Sequence, residues 1–299
     1  MSMGVASDLR PNVVVLMACH NRAAITQEFF TSFLASNRDN FTFEFVVCDD
    51  GSTDGTAKIL ESQPVPIKIV KGTGNLYWAK SMALAEAQIE SCPDGILWVN
   101  DDLHLSRNAF QILLDGMLAR PNSVLVGQVA SKEFGHIIYG GYKRLGRHPL
   151  KVILQKDVNG YLNMDSFNGN FVYIPTQIRL AVGPINSIYQ HAYADIDFGY
   201  RVVNAGYQIH SLPGIIGTGF ENVITWPNGL RAKLRQFTSA KFNPTSSQIH
   251  FFRLHTGKLW FLSLPFYLVR PFLKILIFNS NKTPPRLFGS SASTPRPNR

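Results

Sequence analysis

The stretch 46–56, VVCDDGSTDGT, passes from apolar, β-branched residues into two adjacent carboxylates, and then into a turn rich in glycine and serine. A strand delivered by such a turn into a helix opens a βαβ unit. The acids at its end pose a question, because turn chemistry and ligand chemistry use the same residues. The arrangement recurs at 96–103, ILWVNDDL, and a third acidic cluster, ADID, stands at 194–197.

On either side of that stretch, VVVLMA (13–18), FEFVVC (43–48), IKIV (67–70) and GILWVN (95–100) read as short buried strands. Helical segments alternate with them. ITQEFFTSFLAS (25–36) places Ile25, Phe29, Phe30, Phe33 and Leu34 on one face. Asp54 is placed to cap a helix starting near Gly55, LYWAKSMALAEAQIE (76–90) is rich in helix formers, and Ser106 is placed to cap a helix over 106–119. This alternation predicts an α/β fold with a mostly parallel central sheet flanked by helices. In such sheets ligands bind at the carboxyl ends of the strands, where Asp49–Asp50 and Asp101–Asp102 both fall. From 123 to 174 the pattern turns β-rich, and ADIDFGYRVVNAG (194–206) reads as a helix closed by Gly206.

The chain has 299 residues, 45% of them hydrophobic and 16% charged, as a packed globular protein requires. Cys19, Cys48 and Cys92 show no paired spacing, so buried reduced thiols are expected and neither a disulfide framework nor a zinc set is. Residues 1–12 lack the long apolar core of a secretory leader, which with reduced cysteines points to a cytoplasmic protein.

The net charge of +9 is unevenly spread. Glu221 is the last acidic residue, and 12 Lys/Arg come after it. The excess positive charge therefore lies wholly in the carboxyl-terminal quarter, beside the apolar run LWFLSLPFYLVRPFLKILIF (259–278). Pro265, Pro271, Arg270 and Lys274 interrupt that run. A charge at mid-bilayer costs about 2.5–3.5 kcal/mol on insertion scales. A helix lying in the interface with its cations toward anionic headgroups is favoured over a membrane span or a buried core helix. The run NSNKTPPRLFGSSASTPRPNR (279–299) has the composition of a disordered tail.

No GxxxxGK[ST] occurs, and KGTGNLYWA (71–79) lacks the GxGxxG spacing of a dinucleotide site. Two adjacent acids at a strand end suit Mg²⁺ or Mn²⁺ held together with substrate phosphates. A separate carboxylate at a helix start suits a general base.

Taken in order, VVVLMACHNR, FEFVVCDDGSTDGT, GNLYWAKSMALA, ILWVNDDL and ADIDFGYRVVNAGY resemble the motifs of family 2 glycosyltransferases, in particular the bacterial rhamnosyltransferase-like ones. The resemblance runs from about residue 12 to 210. It implies the GT-A fold of nucleotide-diphospho-sugar transferases, with a carboxyl-terminal helical extension. The expected division is a GT-A domain over 1–228, a basic, membrane-associating extension over 229–278, and the tail. Carried over by position, the resemblance assigns Ala18, Asn21, Arg22, Asp49 and Asp50 to the nucleoside, with Asp50 accepting the imide N–H of the base. Gly74 and Asn75 go beside the ribose. Asp102 ligates the metal, while Asp101 contacts ribose or a metal-bound water. Asp195 aligns with the catalytic base, although Ala194 replaces the glutamate common there, and Asp197 is the next candidate. His191, Asn168 and Asn170 are assigned to the acceptor side. Trp78 reads as core or as acceptor wall.

The implied activity is inverting transfer of a sugar from a UDP- or dTDP-sugar to a hydroxyl of a glycan, lipid-linked, in cell-surface polysaccharide synthesis. The implied location is the cytoplasmic face of the membrane. A non-catalytic scaffold of the same fold and a sugar-1-phosphate nucleotidyltransferase are the competing readings, though ACHNRAAIT lacks the Gly-rich basic loop the latter carries. Nucleic-acid binding by the basic tail has no recognisable module behind it.

Overall fold

The computed structural model describes residues 10–262 apart from 147, 222–226, 228, 238, 240–244 and 259. The expectations for the apolar run beyond 262 and for the tail lie outside the described residues.

The first third alternates as its sequence predicts: β1 (Asn12–Cys19), α1 (Ala23–Ala35), β2 (Thr42–Asp49), α2 (Thr56–Glu61), β3 (Ile67–Lys71), α3 (Tyr77–Glu86) and β4 (Gly95–Val99). Then come β5 (His104–Leu105), α4 (Ala109–Ala119) and a run of short strands. These are β6 (Ser123–Val126), β7 (Val129–Ser131), β8 (Ile137–Tyr139), β9 (Gly141–Arg144), β10 (Val152–Leu154), β11 (Asn163–Met164), β12 (Ser166–Phe167) and β13 (Phe171–Pro175). Helices α5 (Thr176–Val182) and α6 (Ala194–Asn204), strands β14 (Gln208–Ser211) and β15 (Gly217–Gly219), and helices α7 (Leu230–Phe237) and α8 (Thr245–His255) complete the order.

An eight-stranded sheet has the order β11-β14-β6-β13-β4-β1-β2-β3. Its β4, β1, β2 and β3 are parallel neighbours, while β13 runs against both β4 and β6. Because side chains alternate along a strand, β1 splits between two cores. Val13, Val15 and Met17 join the phenylalanines of α1 and Phe110 of α4 on one face; Val14 and Leu16 join Met82, Trp98 and Phe198 on the other. The sheet is thus the middle layer between helices. A three-stranded sheet, β10-β9-β12, and a four-stranded sheet, β5-β15-β7-β8, accompany it.

One local expectation needs correction. Ser106 does not cap α4: the helix begins at Ala109, and Ser106 Oγ is buried without a hydrogen-bond partner. Beyond the expected boundary at 228, α8 packs against the main core. Its Phe251 and Phe252 are fully buried, and Phe251 belongs to the same core as Val14 and Phe198. The packed unit therefore continues to His255. Cys19 and Cys48 are buried free thiols and Cys92 is exposed. Among the described residues no helix is long and apolar enough to cross a membrane.

Candidate active site

Register brings the motifs to one edge. Cys19 pairs with Asp49, Asp49 with Lys71, and Leu16 with Trp98, so the segments leaving β1, β2, β3 and β4 emerge side by side. Strand β13 runs the other way, with Phe171 opposite Val99, so residues 168–170 just before it reach the same edge.

Polar bonds join the first two turns. Asn21 Oδ1 accepts the N–H of Thr53 at 2.7 Å, and the N–H of Asn21 donates to Ser52 Oγ at 2.9 Å. Asp54 accepts from the N–H of Ala23 and from the N–H of Thr56, both at 3.0 Å, so it serves the starts of α1 and α2 together. Asp49 Oδ1 accepts the N–H of Ser52 at 3.0 Å within its own turn. Gly51 has φ 69°, and a Cβ there would lie 2.9 Å from Gly74 N. Only glycine lets the DDGS turn lie against the 72–74 loop.

Asp50 is the clamp of that loop. Its Oδ1 accepts the N–H of Gly74 at 2.7 Å, and its Oδ2 accepts those of Leu76 and Tyr77 at 2.8 and 3.1 Å. Both its oxygens are engaged by backbone and the residue is only 4% exposed, so what the structure shows of Asp50 is its hold on the loop.

Beyond β4, Asp101 is buried and Asp102 partly open. Arg22 Nη1 donates to Asp101 Oδ1 at 2.6 Å and to Asp102 Oδ2 at 3.1 Å. Burial pushes the Asp101 carboxyl up to about 6, with the Arg22 charge opposing and the Asp102 charge adding. Asp101 Oδ2 is buried with no hydrogen-bond partner. Among the described residues no cluster of three His, Cys, Asp or Glu forms a closed metal cage. Two adjacent carboxylates with one unused buried oxygen instead fit an ion of the Mg²⁺ type, which keeps water and substrate oxygens in its shell.

The third cluster reaches the second through a chain of contacts. Trp78 Nε1 donates to Asn100 Oδ1 at 3.0 Å, and the N–H of Asn100 donates to the carbonyl of Asn170 at 3.3 Å. Gly169 N–H donates to Asp195 Oδ2 at 3.3 Å, and Ile196 N–H to Asp195 Oδ1 at 2.8 Å. Burial pushes the Asp195 carboxyl up to about 6 against those bonds. Asn168 Oδ1 is buried and unpartnered nearby. Asp195 is the second residue of α6, entered from Tyr193 with φ 78°. Tyr193, Asn21 and Tyr77 are the non-glycine residues with positive φ among those described; Asn21 and Tyr77 lie in motif segments, and Tyr193 immediately precedes one. Such strain persists where surrounding structure enforces it, and it concentrates at functional sites.

Asp197, the other candidate base, sits among internal partners. Its side chain is 0% exposed and accepts from Tyr189 Oη at 3.2 Å, Arg201 Nε at 2.9 Å and His255 Nε2 at 2.8 Å. The ion pair four residues on is therefore internal. Ala18 lies at the end of β1, Asn75 and His191 are exposed, and Asn170 is buried. Sequence reasoning missed Asn100, Gly169 and Tyr142. Tyr142 lies close enough to Asp195 for the carboxylate charge, after burial, to raise its hydroxyl further. Asn100 carried a signal as the polar residue ending an apolar strand. Gly169 and Tyr142 carried none.

The family model of glycosyl transferase family 2 matches residues 14–175. Among solved structures, residues 1–349 of TarS from S. aureus superpose with a TM-score of 0.54 at 17% identity, covering 70% of this chain and 60% of that one. GalNAc-T7, solved with UDP, GalNAc and Mn²⁺, superposes with a TM-score of 0.58 at 12% identity, covering 83% of this chain and 52% of that one. The chain thus spans between half and two thirds of these neighbours' lengths. At such identities the likeness is one of fold. A search of curated proteins gives no match.

Proposed function

The chain belongs to glycosyl transferase family 2, and from that premise we propose that it moves a sugar from a UDP- or dTDP-sugar to a hydroxyl of a glycan acceptor, with inversion at the anomeric carbon. The observation that supports this reading is the run of contacts Trp78–Asn100–Asn170, next to Gly169–Asp195, which links the segment carrying a carboxylate of raised proton affinity to the segment carrying Asp101 and Asp102.

The acceptor oxygen attacks the anomeric carbon from the face opposite the diphosphate, and the bond to the diphosphate oxygen breaks. Asp195 takes the acceptor's proton. A carboxyl near 6 is ionised at neutral pH and is a stronger base than an ordinary one. Two backbone N–H groups fix its direction, so it is oriented before the substrate arrives. Asp102 and Asp101 are the residues to hold Mg²⁺ or Mn²⁺, which when bound would neutralise charge gathering on the departing diphosphate. Ala18, Asn21 and Asp49 shape the nucleoside side of the cleft, and Asp50 does so through the loop carrying Gly74 and Asn75. Asn168, Asn170 and His191 border the acceptor side.

The proposed acceptor is a lipid-linked glycan on the cytoplasmic face of the membrane. The basic segment from 229 and the apolar run to 278 hold the protein on an anionic surface. A panel of nucleotide sugars, scored for release of UDP or dTDP with and without Mn²⁺, tests the proposal. Divalent-dependent release from one UDP- or dTDP-sugar supports it. Release from none, with purified membranes supplied as acceptor, contradicts it.

A further inference from the structure

Arg22 occupies the acid pair Asp101–Asp102, and any role for it toward a cation rests on the proposal that this pair holds the ion. One guanidinium nitrogen lies 2.6 Å from Asp101 Oδ1 and 3.1 Å from Asp102 Oδ2. The backbone beneath it is fixed: Arg22 N–H donates to Thr56 Oγ1 at 3.1 Å, and its carbonyl accepts the N–H of Thr26 at 2.8 Å. The side chain is 39% exposed, while that of Asp101 is 4% exposed. The arginine side chain is therefore open to solvent above a hydrogen-bonded backbone, and Asp101 is enclosed.

Two adjacent carboxylates repel each other, and a guanidinium between them relieves that repulsion. It also uses the oxygens that a dication needs. We propose that Arg22 is the resting counter-ion of Asp101 and Asp102 and gates their occupation by a divalent cation. A cation arriving alone must displace the guanidinium into water. A cation arriving with a nucleoside diphosphate brings the displaced guanidinium a new anionic partner, since the planar fork of arginine suits carboxylate and phosphate alike. Cation and nucleotide then bind with positive coupling that runs through Arg22, and linkage makes the coupling reciprocal. Arg22 acts here as a positioning residue, through the carboxylates it holds.

The test is Mn²⁺ binding to the full chain, read from the electron paramagnetic resonance of free Mn²⁺, with and without UDP or dTDP. Wild type, Arg22→Gln, Arg22→Lys and Asp102→Asn are compared, with circular dichroism to verify folding. Wild type should bind Mn²⁺ weakly alone and at least about tenfold more tightly with one nucleotide. Arg22→Gln should bind Mn²⁺ alone about five- to tenfold more tightly than wild type, and the nucleotide should tighten it much less. Arg22→Lys, which keeps the charge without the fork, should fall between and serves as the reading if the glutamine variant does not fold. Wild-type affinity and full coupling in Arg22→Gln overturn the gating role alone. Absence of Mn²⁺ binding by wild type under every condition, or unchanged binding by Asp102→Asn, overturns the placing of the ion at the acid pair and the gating role with it.

Discussion

The backbone N–H of Gly169 donates to Asp195 Oδ2 at 3.3 Å, and the same glycine leaves no room for a side chain. A Cβ there would meet Trp78 Cζ2 at 2.6 Å and Asp195 Cβ at 3.7 Å. Gly169→Ala should push the indole off Asn100 and shift Asp195 with it. Overpacking of this kind costs about 1–3 kcal/mol. Chemical denaturation should report that loss, with turnover falling at least about tenfold because the base is misplaced. An alanine variant with unchanged stability and rate would show that Trp78 does not brace the site.

The raised carboxyl of Asp195 has consequences for both rate and stability. As the base, it must be ionised, so kcat/KM should fall with unit slope as pH drops below about 6. The stability effect has the opposite direction. The folded carboxyl near 6 stands above its ordinary value of 3.8, so between those values the folded state binds the proton more readily. The burden on stability is thus present above pH 6 and is relieved as pH falls toward 4. Asp195→Asn should be more stable than wild type at pH 7, with a ceiling of about 3 kcal/mol, and the gain should shrink in acid. Thermal unfolding across pH 4–8 measures it.

Asp197 should behave in the reverse way. Burial alone would raise its carboxyl, but the hydrogen bond from His255 and the charge of Arg201 outweigh burial and lower it. Its stabilisation is present above the ordinary carboxylate range and is lost as pH falls through the lowered value. Asp197→Ala leaves Arg201 without its counter-charge and His255 without its hydrogen-bond partner, a loss of about 3–5 kcal/mol. Urea unfolding of the two aspartate variants should therefore move in opposite directions at neutral pH.

The edge of the sheet was legible in the sequence because each strand there is a short apolar run, and the chemistry begins where the run stops. Val46 to Asp50 and Leu97 to Asp102 each carry both halves of that signal. The helix carrying Asp195 was legible from its period and from Gly206. The contacts that the sequence did not show depend on distant partners. Nothing local to Asp50 indicates that its oxygens meet the backbone of residues 74–77. Arg22 lies 79 residues from Asp101. The basic composition after 229 concealed Phe251 and Phe252, which fill the core, and His255, which reaches Asp197. A charge count averages over a helix whose buried residues, Ser247, Gln248, Phe251 and Phe252, are all uncharged.

The proposed reaction needs Asp195 to take the acceptor's proton in a pocket that binds the nucleotide elsewhere. Turnover and nucleotide affinity measured together on Asp195→Asn, with the donor that the panel identifies, separate those two requirements. The expected result is a fall in kcat of at least about a hundredfold, with UDP or dTDP affinity within twofold of wild type. An asparagine variant that turns over at the wild-type rate would remove Asp195 from the chemistry.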